Sequence, residues 1–286
     1  MSVLTVFEAT PNRVRSLTRL VHYLGPTQRD ELFQHFMPSK ADAAQFGPLL
    51  RETGRLKLVE DRKGEITLGS LIETAADITS DQQFVLRIEM ELMRDSNEEG
   101  GNGPLRFALA WLLAQESGQP IPWSSEDQHL VMKDQMEGTD RYDITNKARF
   151  AMLCYWARYL GYAAGLNSRD GITVIPDPTE AIARRLQSVF AETPRQPIGR
   201  FLEKIAIDCP VLEGGAARSI VEARFHRKRS ELQISTSTAL ALWRLEERKL
   251  IKIDHASDAE TWLLPRSTTA VGAGSARNVS HIEMTG

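Results

Sequence analysis

The most basic short stretch of the chain is "FHRKRS", residues 225–230, in which His226, Arg227, Lys228 and Arg229 are consecutive. Guanidinium and ammonium groups at this density are the side chains that contact nucleic-acid phosphates, and such contacts make binding strongly dependent on salt. The run stands out because the whole chain has a net charge of −3. Whether it meets phosphate or only solvent depends on the elements that hold it.

Residue patterns that would indicate catalysis or a metal centre are missing from the sequence. The six histidines, at positions 22, 35, 129, 226, 255 and 281, have no metal-ligand spacing to Cys, Asp or Glu. There is no P-loop, nucleophile elbow or HExxH motif. Asp177 in "VIPDP" is interpreted as a helix N-cap. We therefore expect no catalytic residue, metal, cofactor or small-molecule substrate.

The two cysteines and the apolar runs bear on the compartment. Cys154 and Cys209 are too few and too far apart for a disulfide framework, and Cys154 lies in the apolar run "FAMLCYWARYL", which predicts a buried thiol. The start "MSVLTVFEATPNRVRS" lacks a signal pattern, and no apolar run is long enough to span a bilayer. We expect a cytoplasmic protein that does not contact membranes.

One pattern occurs three times along the chain: a helix, a short apolar strand, a polar turn and a second apolar strand. The three segments are residues 48–69, 153–177 and 242–265. Their turns are predicted at 61–64, 167–171 and 256–259, where residues that reverse the chain cluster. A helix followed directly by a two-stranded hairpin is typical of the wing end of a winged helix-turn-helix.

The predicted fold is mainly α, with two to three tandem winged helix-turn-helix units, linking helices and small β-hairpin wings. We expect winged-helix domains at residues 1–72 and 195–266. The acidic helical region 80–192 is either a degenerate winged helix or a helical bundle with one hairpin. The tail 267–286 has no periodicity and few large apolar residues, so we expect it to be disordered.

A winged helix places its third helix in the major groove of DNA while its flanks hold phosphates. In the C-terminal unit, if Leu242 and Leu245 face the core, the other side of the helix carries Ser237, Ala241, Arg244 and Arg248. The basic run precedes this helix. The predicted nucleic-acid surface therefore comprises Arg224, Arg227, Lys228, Arg229, Ser237, Arg244 and Arg248.

The other two units are weaker candidates for DNA contact. In the first, Gly47-Pro48 interrupts the third helix, which must restart at Pro48, although Arg62 and Lys63 on the wing remain candidates for phosphate contact. In the middle unit, the third helix is aromatic around most of its circumference, which predicts burial.

Protein partners are suggested by two further features. Leu240 and Trp243 compete for space in one small core, and their exposure would favour a protein partner. Residues 60–145 carry 18 acidic and 7 basic residues, whereas 146–253 carry 11 acidic and 18 basic. Such separation fits different surfaces for different partners, with a merely solubilising acidic surface as the alternative.

Two phrases of the chain resemble a known family. The opening "SVLTVFEATPNRVRSLTRLV" and the phrase "VIPDPTEAI" are similar to DpdG, a component of the bacterial gene cluster that inserts 7-deazaguanine derivatives into DNA and restricts unmarked DNA. This resemblance covers nearly the whole chain, implies a role beside partner enzymes, and carries over no catalytic residues. The tandem winged-helix pattern also resembles kleisin-partner accessory subunits, which are often acidic and bind protein.

The sequence therefore predicts a non-enzymatic DNA-binding and scaffolding component of a bacterial DNA-restriction or anti-phage defence system. Its expected partners are the backbone of double-stranded DNA and the proteins of a multi-subunit complex. Two alternatives stay open: a protein-only winged-helix adaptor of the kleisin-partner kind, and a winged-helix transcriptional regulator.

Overall fold

A computed structural model describes residues 2–37, 43–94, 103–123, 127–169, 171–266 and 276–285. It divides into two compact units, Met1–Leu105 and Arg106–Gly286. Helices after residue 72 pack onto the first unit, and the middle and C-terminal regions pack together. The three domain ranges expected from the sequence stay a prediction.

The first unit contains five helices and three short strands among its described residues. In chain order they are α1 (Pro11–Leu24), β1 (Thr27–Gln28), α2 (Arg29–Phe36), α3 (Ala43–Arg55), β2 (Val59–Arg62), β3 (Glu65–Leu68), α4 (Ala76–Thr79) and α5 (Asp81–Met93). Val14, Leu17 and Val21 form the buried stripe of α1 that their spacing predicts.

Helix α3 corrects one expectation. It runs without interruption from Ala43 to Arg55 and contains Pro48, so the predicted restart at Pro48 is wrong. The proline is the sixth residue of the helix, past its first turn, where it removes one backbone hydrogen bond without ending the helix. Helix α1 also holds the segment after residue 72: Arg19 donates to the Ile78 carbonyl at 3.0 Å and pairs with Asp81 at 2.8 Å.

The second unit is larger. Its helices are α6 (Gly103–Leu113), α7 (Gln128–Gln135), α8 (Lys147–Tyr159), α9 (Thr179–Ala183), α10 (Leu186–Val189), α11 (Ile198–Asp208), α12 (Ala216–Glu222) and α13 (Thr236–Glu247). Its strands are β4 (Ile121–Pro122), β5 (Ala163–Ser168), β6 (Gly171–Pro176), β7 (Arg195–Pro197), β8 (Ile251–Asp254), β9 (Trp262–Leu264), β10 (Arg277–Val279) and β11 (His281–Met284). Trp111, Trp156 and Phe201 are fully buried in its core. Cys154 is buried as predicted, and burial raises the pKa of its thiol.

Three small antiparallel sheets share one topology. Their strand orders are β1-β3-β2, β4-β6-β5 and β7-β11-β8. In each sheet a short first strand lies on one side of the central strand. The strand on the other side, β2, β5 or β8, is called the edge strand. One backbone hydrogen bond also recurs. The residue that follows the short strand donates its N–H to a carbonyl at the start of the central strand: Arg29 N–Gly64 O at 2.8 Å, Trp123 N–Ile172 O at 2.9 Å and Ile198 N–Ser280 O at 2.9 Å.

The turn that leads into each edge strand recurs as well. Lys57, Gly161 and Lys249 follow α3, α8 and α13 and have φ of 58°, 78° and 58°. The next residue donates back into the helix each time: Leu58 N to Thr53 O, Tyr162 N to Ala157 O and Leu250 N to Leu245 O. This six-to-one bond after a left-handed residue is the Schellman motif. The helix-to-strand part of the predicted pattern is therefore present in all three segments, and the helix followed by a hairpin is present in the first two.

The strands of the third sheet pair differently from the prediction. Strand β8 was expected to form a hairpin with residues 262–264, but β9 pairs with β10 instead. The central strand is β11, which pairs with both β7 and β8. Disorder of the tail is thus wrong for residues 277–284, where Val279 and Ile282 are buried; residues 267–275 and 286 lie outside the described ranges.

Helices combined with small antiparallel sheets make this a mixed α/β protein rather than the mainly α one expected. In the ranges that the structure describes, no helix combines the length and the apolar character needed to cross a bilayer.

Candidate nucleic-acid interface

The basic run forms a turn between α12 and α13, and its backbone is held by α7. The His226 N–H donates to the Gln135 carbonyl at 2.9 Å, and the Arg224 carbonyl accepts from Glu137 N at 3.3 Å. The guanidinium of Arg224 reaches the Gly138 carbonyl at 3.4 Å. These bonds fix where the turn begins, so the side chains that follow project from an anchored backbone.

Two adjacent cations of the basic run are accessible to an external ligand. Arg227 and Lys228 are exposed, and neither forms an ion pair within the part of the chain that the structure describes. Arg229 is engaged inside the protein, since it pairs with Glu213 at 2.6 Å and with Glu222 at 3.0 Å. The predicted cationic turn therefore offers Arg227 and Lys228 together, whereas Arg229 holds the turn in place.

Glu213 is a buried carboxylate that sequence reasoning missed. Besides Arg229 it accepts hydrogen bonds from the Ser235 N–H at 2.6 Å and the Ser235 hydroxyl at 3.1 Å. Ser235 is the N-cap of α13. Glu213 thus joins the basic turn to the start of that helix. It lies 16 positions before Arg229, so local spacing could not reveal the link.

The outer face predicted for α13 is not open. Ser237 and Ala241 are fully buried, so their predicted exposure is wrong. The Ser237 hydroxyl donates to the Leu113 carbonyl at 2.5 Å, at the end of α6. The small side chains at these positions allow the backbones to approach closely. Ser237 is therefore in contact with protein, and its role in nucleic-acid binding stays a prediction.

The two arginines of α13 are paired with the region around α9. Arg244 forms an ion pair with Asp177, and Arg248 pairs with Glu180 at 2.6 Å. Asp177 also accepts from the N–H of Thr179, the first residue of α9, at 3.2 Å, but the N-cap position is Pro178 and not Asp177 as the sequence predicted. Both arginines are therefore engaged in pairs within the unit.

Leu240 and Trp243, the predicted partner-binding residues, are half-buried. The Trp243 indole N–H donates to the Pro265 carbonyl at 3.1 Å. Two guanidinium groups lie over its ring, those of Arg266 at 5.0 Å and Arg277 at 5.8 Å from the ring centroid. Cation–π contacts of this kind cover part of the ring with the chain's own side chains.

In the first unit, Arg62 and Lys63 lie at the β2–β3 turn. Lys63 and Gly64 both have positive φ, 57° and 92°, as a two-residue type I′ hairpin turn requires. Lys63 is exposed, whereas Arg62 pairs with Glu60 at 2.9 Å. The hydrogen bond from Arg62 lowers the pKa of the Glu60 carboxyl. Lys63 is the freer of the two cations.

A groove of about 860 Å³ lies beside the basic turn in the second unit. Its lining includes Leu202, Glu203, Arg227, Lys228, Gln233 and Trp262. The wall is mixed in charge and polarity. Across the described ranges, no group of three or more His, Cys, Asp or Glu side chains is placed to hold a metal ion.

The chain is thus a protein of two compact units built on three similar small sheets, with an exposed cation pair on one anchored turn. A family model described as DpdG-like matches residues 1–259, and the chain belongs to the DpdG-like family. Neither the comparison with curated proteins nor the one with solved structures finds a match. The matched range ends before β9, so β9, β10 and β11 lie beyond it.

Proposed function

We propose that the chain is a non-enzymatic DNA-binding and scaffolding component of a bacterial DNA modification and restriction system, acting in the cytoplasm. Membership of the DpdG-like family supports the link to the gene cluster that inserts 7-deazaguanine derivatives into DNA. A component of a multi-gene system works beside other proteins, which supports the scaffolding role.

The winged-helix assignment is part of this proposal. The element order α1-β1-α2-α3-β2-β3 with sheet order β1-β3-β2 supports it for the first unit. The shared sheet topology and the shared Schellman turns extend it to the regions around α8 and α13. Winged helices serve both as DNA-binding and as protein-binding modules, so the side chains and not the fold decide which contacts are made.

The observation that carries the DNA-binding proposal is that Arg227 and Lys228 are both exposed and form no ion pair in the described part of the chain, on a turn held by α7. Cations on an anchored turn meet phosphates with little loss of backbone entropy. Arg224 at the base of the turn and Lys63 with Arg62 on the first unit's hairpin are proposed as further phosphate contacts. Contacts of this type position a protein on DNA without reading its sequence.

The test is duplex-DNA binding at several salt concentrations, comparing wild type with the double variant Arg227→Ala/Lys228→Ala. Losing two phosphate contacts should lower the log–log salt slope by about 2 and weaken binding roughly 10- to 100-fold at moderate salt. The matched control is Arg169→Ala/Lys252→Ala, which removes two exposed cations outside the turn. Equal affinity and slope in wild type and the turn variant would refute the proposed contact.

A protein-only adaptor is the second candidate, and the docked α13 favours it. The helix that would enter a DNA groove has Ser237 and Ala241 buried and Arg244 and Arg248 paired within the unit. A protein that reads no bases through this helix can still bind partner proteins. If the wild type fails to bind duplex DNA even at low salt, the adaptor is the better account.

A further inference from the structure

Strands β2, β5 and β8 occupy the same edge position in the three equivalent sheets. β2 carries Glu60, Asp61 and Arg62, and β8 carries Lys252 and Asp254. β5, with the sequence "AAGLNS", carries no charge. Charged residues on an edge strand discourage pairing with another chain. The middle sheet alone among the three lacks this protection, so its edge is suited to accept a further strand.

The free hydrogen-bonding groups of this edge follow from its register. The Asp177 N–H donates to the Tyr162 carbonyl at 3.0 Å, so the bonded pairs of β5 with β6 fall on alternate residues, at Ala164 and Leu166. The N–H and C=O groups of Gly165 and Asn167 therefore point away from β6. They form the ladder that an added strand would complete.

The side chains along β5 define what such a strand must carry. Leu166 is 50% exposed and lies on the face opposite Gly165. An apolar side chain beside Leu166 would bury surface that is now in water, which is favourable. The added strand should therefore be apolar on the Leu166 side.

Arg158 sets the requirement on the other face. Its guanidinium crosses β5 at Gly165, where an added Cβ would lie 2.9 Å from the Arg158 Nε atom. Gly165 thus leaves the space that the arginine occupies. Arg158 is exposed, stacks over Trp123 at 5.4 Å from the ring centroid, and has no ion-pair partner among the residues described. A carboxylate on the added strand opposite Gly165 would complement this charge.

We propose that the β5 edge binds an extended segment of a partner protein as a further strand. That segment carries Asp or Glu opposite Gly165, facing Arg158, and apolar residues on either side of it, facing Leu166. A second copy of the chain fits less well, because antiparallel pairing of β5 with itself about Gly165 would bring two Arg158 side chains together. The proposal deepens the scaffolding part of the proposed function and does not depend on DNA binding.

The probes are two fluorescently labelled peptides, acetyl-Thr-Val-Glu-Val-Thr-amide and the same peptide with Lys in place of Glu. Fluorescence anisotropy gives their Kd for the full chain and for Arg158→Glu. Wild type should bind the Glu peptide about tenfold more tightly than the Lys peptide, a difference of about 1.4 kcal/mol, and Arg158→Glu should reverse that order. Absence of saturable binding of the Glu peptide to wild type, or equal Kd values for both peptides, overturns the proposal.

A second variant, Leu166→Lys, gives β5 the charge that the other two edges have. It should weaken binding of the Glu peptide while leaving thermal unfolding and duplex-DNA binding as in wild type. This combination distinguishes loss of the β5 edge from misfolding and from loss of DNA binding. Undiminished peptide binding would place the peptide elsewhere. A wild-type dimer in sedimentation that Leu166→Lys dissociates would assign the edge to a second copy and overturn the partner assignment.

Discussion

Arg244, on α13, forms an ion pair with the Asp177 carboxylate, whose side chain is only 6% exposed. Asp177 also accepts a hydrogen bond from the Thr179 N–H at the start of α9, so one carboxylate contacts two helices. One turn further along α13, Arg248 pairs with the exposed Glu180. The arginines that the sequence presents as an outward cationic face thus hold α13 against the region of α9, and the basic turn before α13 is left as the accessible cationic surface.

Arg244→Ala should lower the free energy of unfolding of the second unit. It leaves the buried Asp177 carboxylate without its cation, which costs about 1–3 kcal/mol. Denaturant unfolding measures this cost. Arg248→Ala is the control, because Arg248 and its partner Glu180 are both substantially exposed, and it should change stability by less than about 0.5 kcal/mol. Equal, small effects of the two variants would show that the buried pair does not fix the helices.

Arg229→Ala should affect stability more than DNA affinity. The substitution removes the ion pairs with Glu213 and Glu222 and leaves the buried Glu213 with Ser235 as its remaining partner among the described residues. We expect a loss of about 1–3 kcal/mol in unfolding free energy. The salt slope of DNA binding should change less than in Arg227→Ala/Lys228→Ala. A larger fall in slope than in that double variant would contradict the internal role of Arg229.

The repeat and the place of the basic turn could be predicted from the sequence, because both depend on neighbouring residues. Helix, strand and turn signals are local, and they recur at 48–69, 153–177 and 242–265. The central strand of the third sheet could not be predicted, because β11 pairs with β8 across 26 intervening residues, from 255 to 280. Only pairing in three dimensions identifies "HIEM" as a central strand.

The covered face of α13 was missed for a related reason. A helix of an isolated small domain buries one stripe, and Leu242 and Leu245 mark that stripe in α13. Here α6 and α9, distant in sequence, pack near the opposite side. A signal was present, since Ser237, Ala239 and Ala241 are small enough for another backbone to approach closely. Their size could have indicated a second packing face.

The C-terminal strand should be essential for the stability of the second unit. Ile282 is fully buried at the centre of β11, and Ile282→Ala should cost about 2–4 kcal/mol. Deleting residues 276–286 removes the central strand altogether and should cost more. Urea unfolding followed by circular dichroism measures both. Met284→Ala, at a half-buried position, is the milder comparison. Wild-type stability of the deletion variant would show that β11 contributes little to the sheet.

The left-handed turns predict opposite effects of glycine and alanine. Lys249 has φ of 58°, which costs a residue with a Cβ about 1 kcal/mol, so Lys249→Gly should raise unfolding free energy by up to about 1 kcal/mol. Gly161→Ala should be destabilising, because its φ is 78° and its Cβ would lie 2.9 Å from the Glu180 Cβ. Thermal unfolding compares the two variants. The same sign of effect at both positions would contradict their equivalence.

Asp77 makes the stability of the first unit depend on pH. Burial alone would raise the pKa of this carboxyl, but hydrogen bonds from the Thr74 N–H, the Arg87 guanidinium and the Glu73 N–H outweigh it and lower the pKa. The unfolded chain therefore takes up the proton at higher pH than the folded one. The contribution is fully present above the unfolded pKa, about 3.9, and is lost as pH falls through the lower folded pKa.

Asp77→Asn should therefore lower unfolding free energy by about 1–3 kcal/mol at pH 7. The difference from wild type should shrink progressively below about pH 4, where the wild-type carboxyl begins to bind its proton in the unfolded chain. Urea unfolding at pH 7, 5, 4 and 3 measures it. Glu73→Gln is the control, because Glu73 is exposed where it pairs with Arg87, and it should change stability by less than about 1 kcal/mol. A gap between wild type and Asp77→Asn that stays constant from pH 7 to pH 3 would exclude ionisation of Asp77 as its cause.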